Sequence, residues 1–75
     1  MFLARAEIVS NVWKLVAREG DQVAVGDTLA ILESMKMEIP LVAQAGGHVS
    51  KILVELGQIV QEGDPIMEID ETASA

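Results

Sequence analysis

Gly20-Asp21-Gln22-Val23-Ala24-Val25-Gly26-Asp27 is followed 37 residues later by Gly57-Gln58-Ile59-Val60-Gln61-Glu62-Gly63-Asp64, and the reading of this pair decides the fold. Each copy places two glycines around a short apolar-polar run and closes on Gly-Asp. That is turn chemistry rather than helix chemistry, because glycine supplies positive φ and aspartate caps nearby backbone amides. The offset extends outward from the turns. It pairs Val12 with Val49, Lys14 with Lys51 and Val23 with Val60, and it conserves type at Leu15/Ile52, Val16/Leu53, Leu29/Ile66, Leu32/Ile69 and Glu33/Asp70. Six identities fall in the 22 aligned positions from Val12 to Glu33, against the one or two expected by chance. The sequence therefore contains two copies of strand, turn and strand. Neither copy is long enough to close a core, so the two must pack on one another with approximate two-fold symmetry.

The segments between the turns support this reading. Asn11 to Ala17, Thr28 to Leu32, Met37 to Ala43, His48 to Val54 and Pro65 to Ile69 are short runs rich in Val, Ile and Leu, too short for ordinary helices. With 51% hydrophobic but only 3% aromatic residues, the core is built from aliphatic side chains and Met, which suits a thin all-β sandwich. A chain of 75 residues buries only ~60% of its unfolded surface and has no room for a deep cleft. One domain over residues 1–70 is expected, with a loose polar tail over 71–75.

From Met35 the residues alternate strictly. Met35, Met37, Ile39, Leu41 and Ala43 share one face, and Lys36, Glu38, Pro40, Val42 and Gln44 the other, which is strand periodicity. Pro40 has no amide hydrogen, so this strand lies at an edge or carries a break. Together with Thr28 to Leu32 it forms a hairpin reversing near Ser34-Met35-Lys36-Met37. None of those four residues is a good former of a two-residue turn, which favours Asn-Gly. A local rule broken in this way points to function. A lysine at the apex of such a hairpin projects its amine beyond the body of the protein. A free lysine has a pKa near ~10.4 and is a weak nucleophile without an external base, so Lys36 reads as a substrate for modification, not a catalyst.

Glu33-Ser34-Met35-Lys36-Met37-Glu38-Ile39-Pro40 resembles the attachment motif of the biotinyl domain family, the biotin carboxyl carriers. Val12-Trp13-Lys14-Leu15, Glu19-Gly20-Asp21-Gln22-Val23, Gly26-Asp27 and Glu62-Gly63-Asp64 stand where that family has similar residues, so the resemblance runs from about Ala6 to Asp70. It implies a flattened barrel of two four-stranded antiparallel sheets, with the lysine hairpin at one end and both termini at the other. It also implies that a biotin protein ligase joins biotin to Lys36. The carrier then takes carboxybiotin from a biotin carboxylase to a carboxyltransferase and catalyses neither step. Met35 and Met37 are assigned to ligase recognition, and Glu33 and Glu38 are either solvated strand-end charges or steer the ligase. The chain departs from the family at Glu7-Ile8-Val9-Ser10-Asn11, where an Ala-Pro-Met-Pro-Gly stretch is common. That difference is expected at an end far from the lysine. Neither a protruding inserted loop nor a Pro- and Ala-rich linker is present, as in a free-standing carrier or one excised from a larger subunit.

Other classes are disfavoured. Twelve acidic against five basic side chains give a net charge of −7, which repels nucleic acid and anionic membranes and keeps a small protein soluble and monomeric. With no apolar run long enough for a signal peptide or a membrane span, a cytoplasmic protein is expected. The absence of cysteine removes thiolate metal sites and disulfides, and one histidine is too little for zinc. The Gly-Asp pairs lack the lysine of a phosphate loop and the acidic spacing of a calcium loop. Trp13 is expected to pack and His48 to lie on the surface beside a turn. The rival functions are a lipoyl-type carrier, whose lysine typically sits in Asp-Lys-Ala, a Schiff-base enzyme and an unmodified interaction module.

Overall fold

The computed structural model describes residues 2–71, so the tail expected over 71–75 lies outside the described residues except for Glu71. Eight strands and no helix form among them: β1 Phe2–Arg5, β2 Ser10–Leu15, β3 Gln22–Val23, β4 Thr28–Ser34, β5 Met37–Val42, β6 Gly47–Ile52, β7 Ile59–Val60 and β8 Pro65–Asp70. They make two four-stranded sheets, β1-β8-β6-β3 and β5-β4-β2-β7, in which every neighbouring pair is antiparallel. The five expected strands are present with ends shifted by a few residues. β1 and the two-residue β3 and β7 are additions, the latter two lying inside the segments read as turns.

The sequence repeat is the symmetry of the fold. The 37-residue offset carries β2 onto β6, β3 onto β7 and β4 onto β8, and it also carries β1 onto β5. One sheet is thereby mapped onto the other. The core obeys the same mapping: Val12, Leu29 and Leu32 are fully buried, and so are their mates Val49, Ile66 and Ile69. Burying such side chains contributes roughly 1.5–3 kcal/mol each, which makes this shared interior the main source of stability.

The two copies do not simply stack, because each sends its short strand into the other copy's sheet. β3 pairs with β6, and β7 pairs with β2. At the crossings the Gly20 amide donates to the Val49 carbonyl and the Val49 amide donates to the Asp21 carbonyl. In the mate, the Gly57 amide donates to the Val12 carbonyl and the Val12 amide to the Gln58 carbonyl, all at 2.7–2.9 Å. Side chains close the loops in matching fashion. The Arg18 amide donates to Asp21 Oδ2 and the Ala24 amide to Asp27 Oδ2, while the Glu55 amide donates to Gln58 Oε1 and the Gln61 amide to Asp64 Oδ2. Gln58 substitutes for aspartate at its position without loss of the bond. Gly20, Gly26, Gly57 and Gly63 all take positive φ, which explains why these loops keep glycine at those positions.

Trp13 departs from expectation. The β2–β4 register shifts between Val12 and Lys14, and Trp13 sits at this bulge with its side chain 48% exposed rather than packed in the core. His48 is part of β6 rather than a turn, with Nε2 3.8 Å from the carboxylate of Asp70. Among the described residues no helix is long and apolar enough to cross a membrane.

Gly47 offers a test of the packing. A Cβ placed there would collide with the backbone carbonyl of Asp70, whereas at Gly46 the nearest atom, the Val23 carbonyl oxygen, would be 3.6 Å away. Gly47→Ala is expected to destabilise the fold by about 2 kcal/mol, in the range of overpacked sites, and Gly46→Ala by well under ~1 kcal/mol. Urea denaturation of the two variants measures the difference.

Candidate functional site

β4 and β5 form a hairpin in continuous register from Ala30↔Leu41 to Ser34↔Met37, with a shift between Thr28 and Ala30 at its far end, leaving Met35 and Lys36 as a two-residue loop. Met35 has φ of 53° and Lys36 a φ of 65°, the only non-glycine residues with positive φ among those described. Two consecutive left-handed residues define a type I′ turn, the connection whose twist matches the flanking strands. The sequence lacks good turn formers because the geometry demands two left-handed residues and neither is Gly, Asn or Asp. Each left-handed L-residue costs roughly 1–2 kcal/mol, so the ladder behind the turn holds it in place.

The expected alternation holds along β5. Ile39, Leu41 and Ala43 turn toward the core, and Glu38, Pro40, Val42 and Gln44 are exposed. Pro40 sits on an edge strand, as its missing amide requires. Met35 and Met37 share the phase of the core-facing residues but lie beyond the end of the core, and they are 87% and 61% exposed. Neither fills the core. Lys36 is exposed, and among the described residues it makes no hydrogen bond or ion pair. Its amine is thus presented bare at the tip of a stiff loop and flanked by two free thioethers.

Glu33 and Glu38 stand directly opposite each other one step behind the turn. Like charges across a ladder are destabilising, so this pair is a second broken rule within the hairpin. Asn11 is the next residue in the same cross-strand row, paired with Glu33 on one side and Ile59 on the other. Its amide oxygen is buried without a partner. This corrects the expectation that Glu7-Ile8-Val9-Ser10-Asn11 lies far from the lysine. β2 runs antiparallel to β4, so the start of β2 lies beside the end of β4, at the hairpin. Ile8 lines a groove there with Leu32, Ile39 and Pro40. The unusual stretch borders the site, and sequence reading misplaced it because nothing local shows which end of β2 meets the hairpin. Among the described residues no cluster of three or more His, Asp or Glu is placed to hold a metal.

The site as built is an arm, with a protruding amine and no surrounding pocket. The sequence profile of the family described as "Biotin-requiring enzyme" matches residues 4–69, nearly all of the described chain. The chain belongs to this family. It is similar to the "Biotinylated protein TB7.3 homolog" of Mycobacterium leprae, with 54% identity over 65 residues that cover 87% of this chain and 92% of the relative. It is also similar to the "Biotin/lipoyl attachment protein" of Bacillus subtilis, with 44% identity over 63 residues covering 84% and 86% of the two chains. Among solved structures, the urea carboxylase of Kluyveromyces lactis superposes with a TM-score of 0.88 and 39% identity, over 92% of this chain but only 6% of that one. As a member of the biotin-requiring family the chain is a carrier domain, similar to the biotinyl domains within biotin-dependent carboxylases. The geometry fits a covalently attached biotin, because Lys36 offers an unhindered amine for an amide bond.

The strain in the turn is measurable. Replacing Met35-Lys36 by Asn-Gly is expected to stabilise the protein by about 1–2 kcal/mol while removing the amine, since both new residues accept positive φ. Thermal or urea unfolding of this variant against wild type checks the sign, and an unchanged or lowered midpoint would remove the strain argument.

Proposed function

We propose that residues 1–70 form a biotin carboxyl carrier domain in which Lys36 receives biotin from a biotin protein ligase. In this reading the domain serves a biotin carboxylase and a carboxyltransferase in turn and catalyses neither reaction. The observation that carries the reading is the left-handed turn. An energetically unfavourable conformation is maintained at the turn that holds an exposed lysine. Lys36 does not have the setting of a Schiff-base catalyst, which requires a desolvated amine in a pocket.

The division of labour follows from the chemistry. The carbonyl of an activated biotinyl-adenylate is attacked by the Lys36 amine, adenylate leaves and an amide forms, with the proton removed by a base on the ligase. The chain's own contribution is to hold the amine clear and orient it. The bound group supplies a ureido nitrogen able to accept and release a carboxyl group. Met35 and Met37 give the ligase polarisable apolar contacts on either side of the amine, and Glu33 with Glu38 supplies negative charge behind it. Amide formation removes one positive charge and takes the net charge from −7 to −8, which strengthens the pull toward a basic partner surface. The domain works in this proposal as a cytoplasmic monomer, and its acidity supports the absence of nucleic-acid and membrane partners.

Lys36→Ala is expected to abolish biotin incorporation while moving stability by less than about 0.5 kcal/mol, because the residue is exposed and makes no hydrogen bond or ion pair among the described residues. The measurement is intact mass after incubation with biotin, ATP and ligase, beside a melting curve. Biotin on Lys14 or Lys51 in that variant would overturn the single-site assignment. Offering biotin and lipoate together with both ligases separates the carriers. A biotinyl mass is expected, a lipoyl mass would overturn the reading, and an unmodified chain would favour the interaction module. Met35→Ala or Met37→Ala is expected to slow biotinylation several-fold without lowering the melting temperature. Equal rates in both variants and wild type would remove their recognition role.

A further inference from the structure

The three methionines among the described residues fall into two environments. Met67 is 0% exposed in the centre of the core, while Met35 and Met37 are 87% and 61% exposed on either side of Lys36. The chain has no cysteine, so no thiol competes for a mild two-electron oxidant. The turn itself guarantees the exposure, since two left-handed residues splay Met35 away from the ladder and Met37 lies past the last core layer. Among the described residues, an oxidant therefore meets accessible sulfur on either side of Lys36, while the sulfur that supports the fold is shielded.

We propose that Met35 and Met37 form a redox-sensitive modification site: their oxidation by a hydroperoxide to methionine sulfoxide closes Lys36 to biotin attachment, and reduction reopens it. This rests on the assignment of Lys36 as the attachment residue. The step balances simply. A sulfur lone pair attacks the terminal OH oxygen of the peroxide, the O–O bond breaks, the transferred oxygen gives up its proton, and the departing oxygen takes one up and leaves as water from hydrogen peroxide or as an alcohol from an organic hydroperoxide. The sulfur is oxidised by two electrons and the peroxide reduced by two. A dithiol reductase reverses the change, removing the oxygen as water and becoming a disulfide.

The physical effect is local. A thioether is a soft apolar contact, whereas a sulfoxide carries a strong acceptor oxygen that resists burial without a donor. Two sulfoxides beside the amine also give its ammonium form nearby acceptors. A ligase surface built to cover apolar side chains would pay for desolvating these oxygens, so the loss appears chiefly as a raised KM. The fold is unaffected, because neither methionine belongs to the core.

The test uses the full unbiotinylated chain. Hydrogen peroxide is added in graded amounts, the oxidised positions are located by peptide mapping, and biotinylation is followed with ligase, biotin and ATP after the peroxide is removed. Oxygen is expected on Met35 and Met37 well before Met67, with kcat/KM for ligation reduced by about tenfold, as befits a polar group forced into an apolar contact. The circular dichroism spectrum should not change, and methionine sulfoxide reductase should restore the rate. The M35L/M37L variant, compared only with itself, should keep its rate through the same treatment. Oxidation of Met67 as readily as the other two, an unchanged rate for the oxidised chain, or failure of the reductase to restore the rate would each overturn the proposal. An unoxidised chain that takes up no biotin on Lys36 would overturn the attachment reading and this inference together, and it would be seen before peroxide is added.

Discussion

The exchange of short strands between the two repeats is the constraint on which the remaining structure depends. Val12 and Val49 are each fully buried and each hydrogen-bonded to the glycine loop of the opposite copy. The interior of one copy is thus sealed by the backbone of the other. This tie explains how a chain with few aromatic residues and no disulfide closes a core at this size, where the surface-to-volume ratio works against it. It also accounts for the conformational demands on the loops. Each must reverse sharply, cross to the other sheet for two residues and return, which is why glycines with positive φ and a side-chain acceptor recur at matching places.

A frame tied together in this way can support strain at its rim. The Met35–Lys36 turn runs against local preference, and Glu33 faces Glu38 just behind it, yet six cross-strand residue pairs hold the hairpin and its sheet shares the interlocked core. The two unfavourable features are concentrated where the Lys36 amine is displayed. The pseudo-two-fold relation makes their placement informative. What the scaffold requires appears in both halves, as with Val12 and Val49 or Asp27 and Asp64. What is found in one half only has some other cause. Ile59, exposed beside Asn11 in the row that leads to the hairpin, has Gln22 as its mate, and Ile8 and Val9 have Ala45 and Gly46. The apolar surface of the hairpin end is therefore not something the fold imposes.

Much of this was legible in the sequence where the physics is local. The Gly-Asp loops announce themselves because positive φ and side-chain capping are properties of single residues, and Pro40 marks an edge because it has no amide to donate. Lys36 stood out through its motif and through the absence of turn formers around it. β1 was missed because Phe2–Arg5 is short, unpunctuated and stabilised by pairing with β8 at the far end of the chain. The strand exchange was invisible for a similar reason, since two residues of pairing leave no periodic signature. Alternation alone did not decide the burial of Met35 and Met37. It gives the face of a strand but not where the core beneath that face stops, and Trp13 escaped through a bulge that shifts the register by one residue.

The two-fold relation assigns a mate to the lysine turn as well. The offset carries Met35 and Lys36 to positions 72 and 73, just past the end of β8, and Phe2 of β1 lies beside Ile69 of that strand. One half closes with the lysine hairpin, and in the other β1 begins at Phe2 and β8 ends at Asp70, at the opposite pole. Anything fused to either end is thereby attached at the pole opposite the amine. The same body can be the bulk of a small protein or a few per cent of a large one without a change to its two-fold frame.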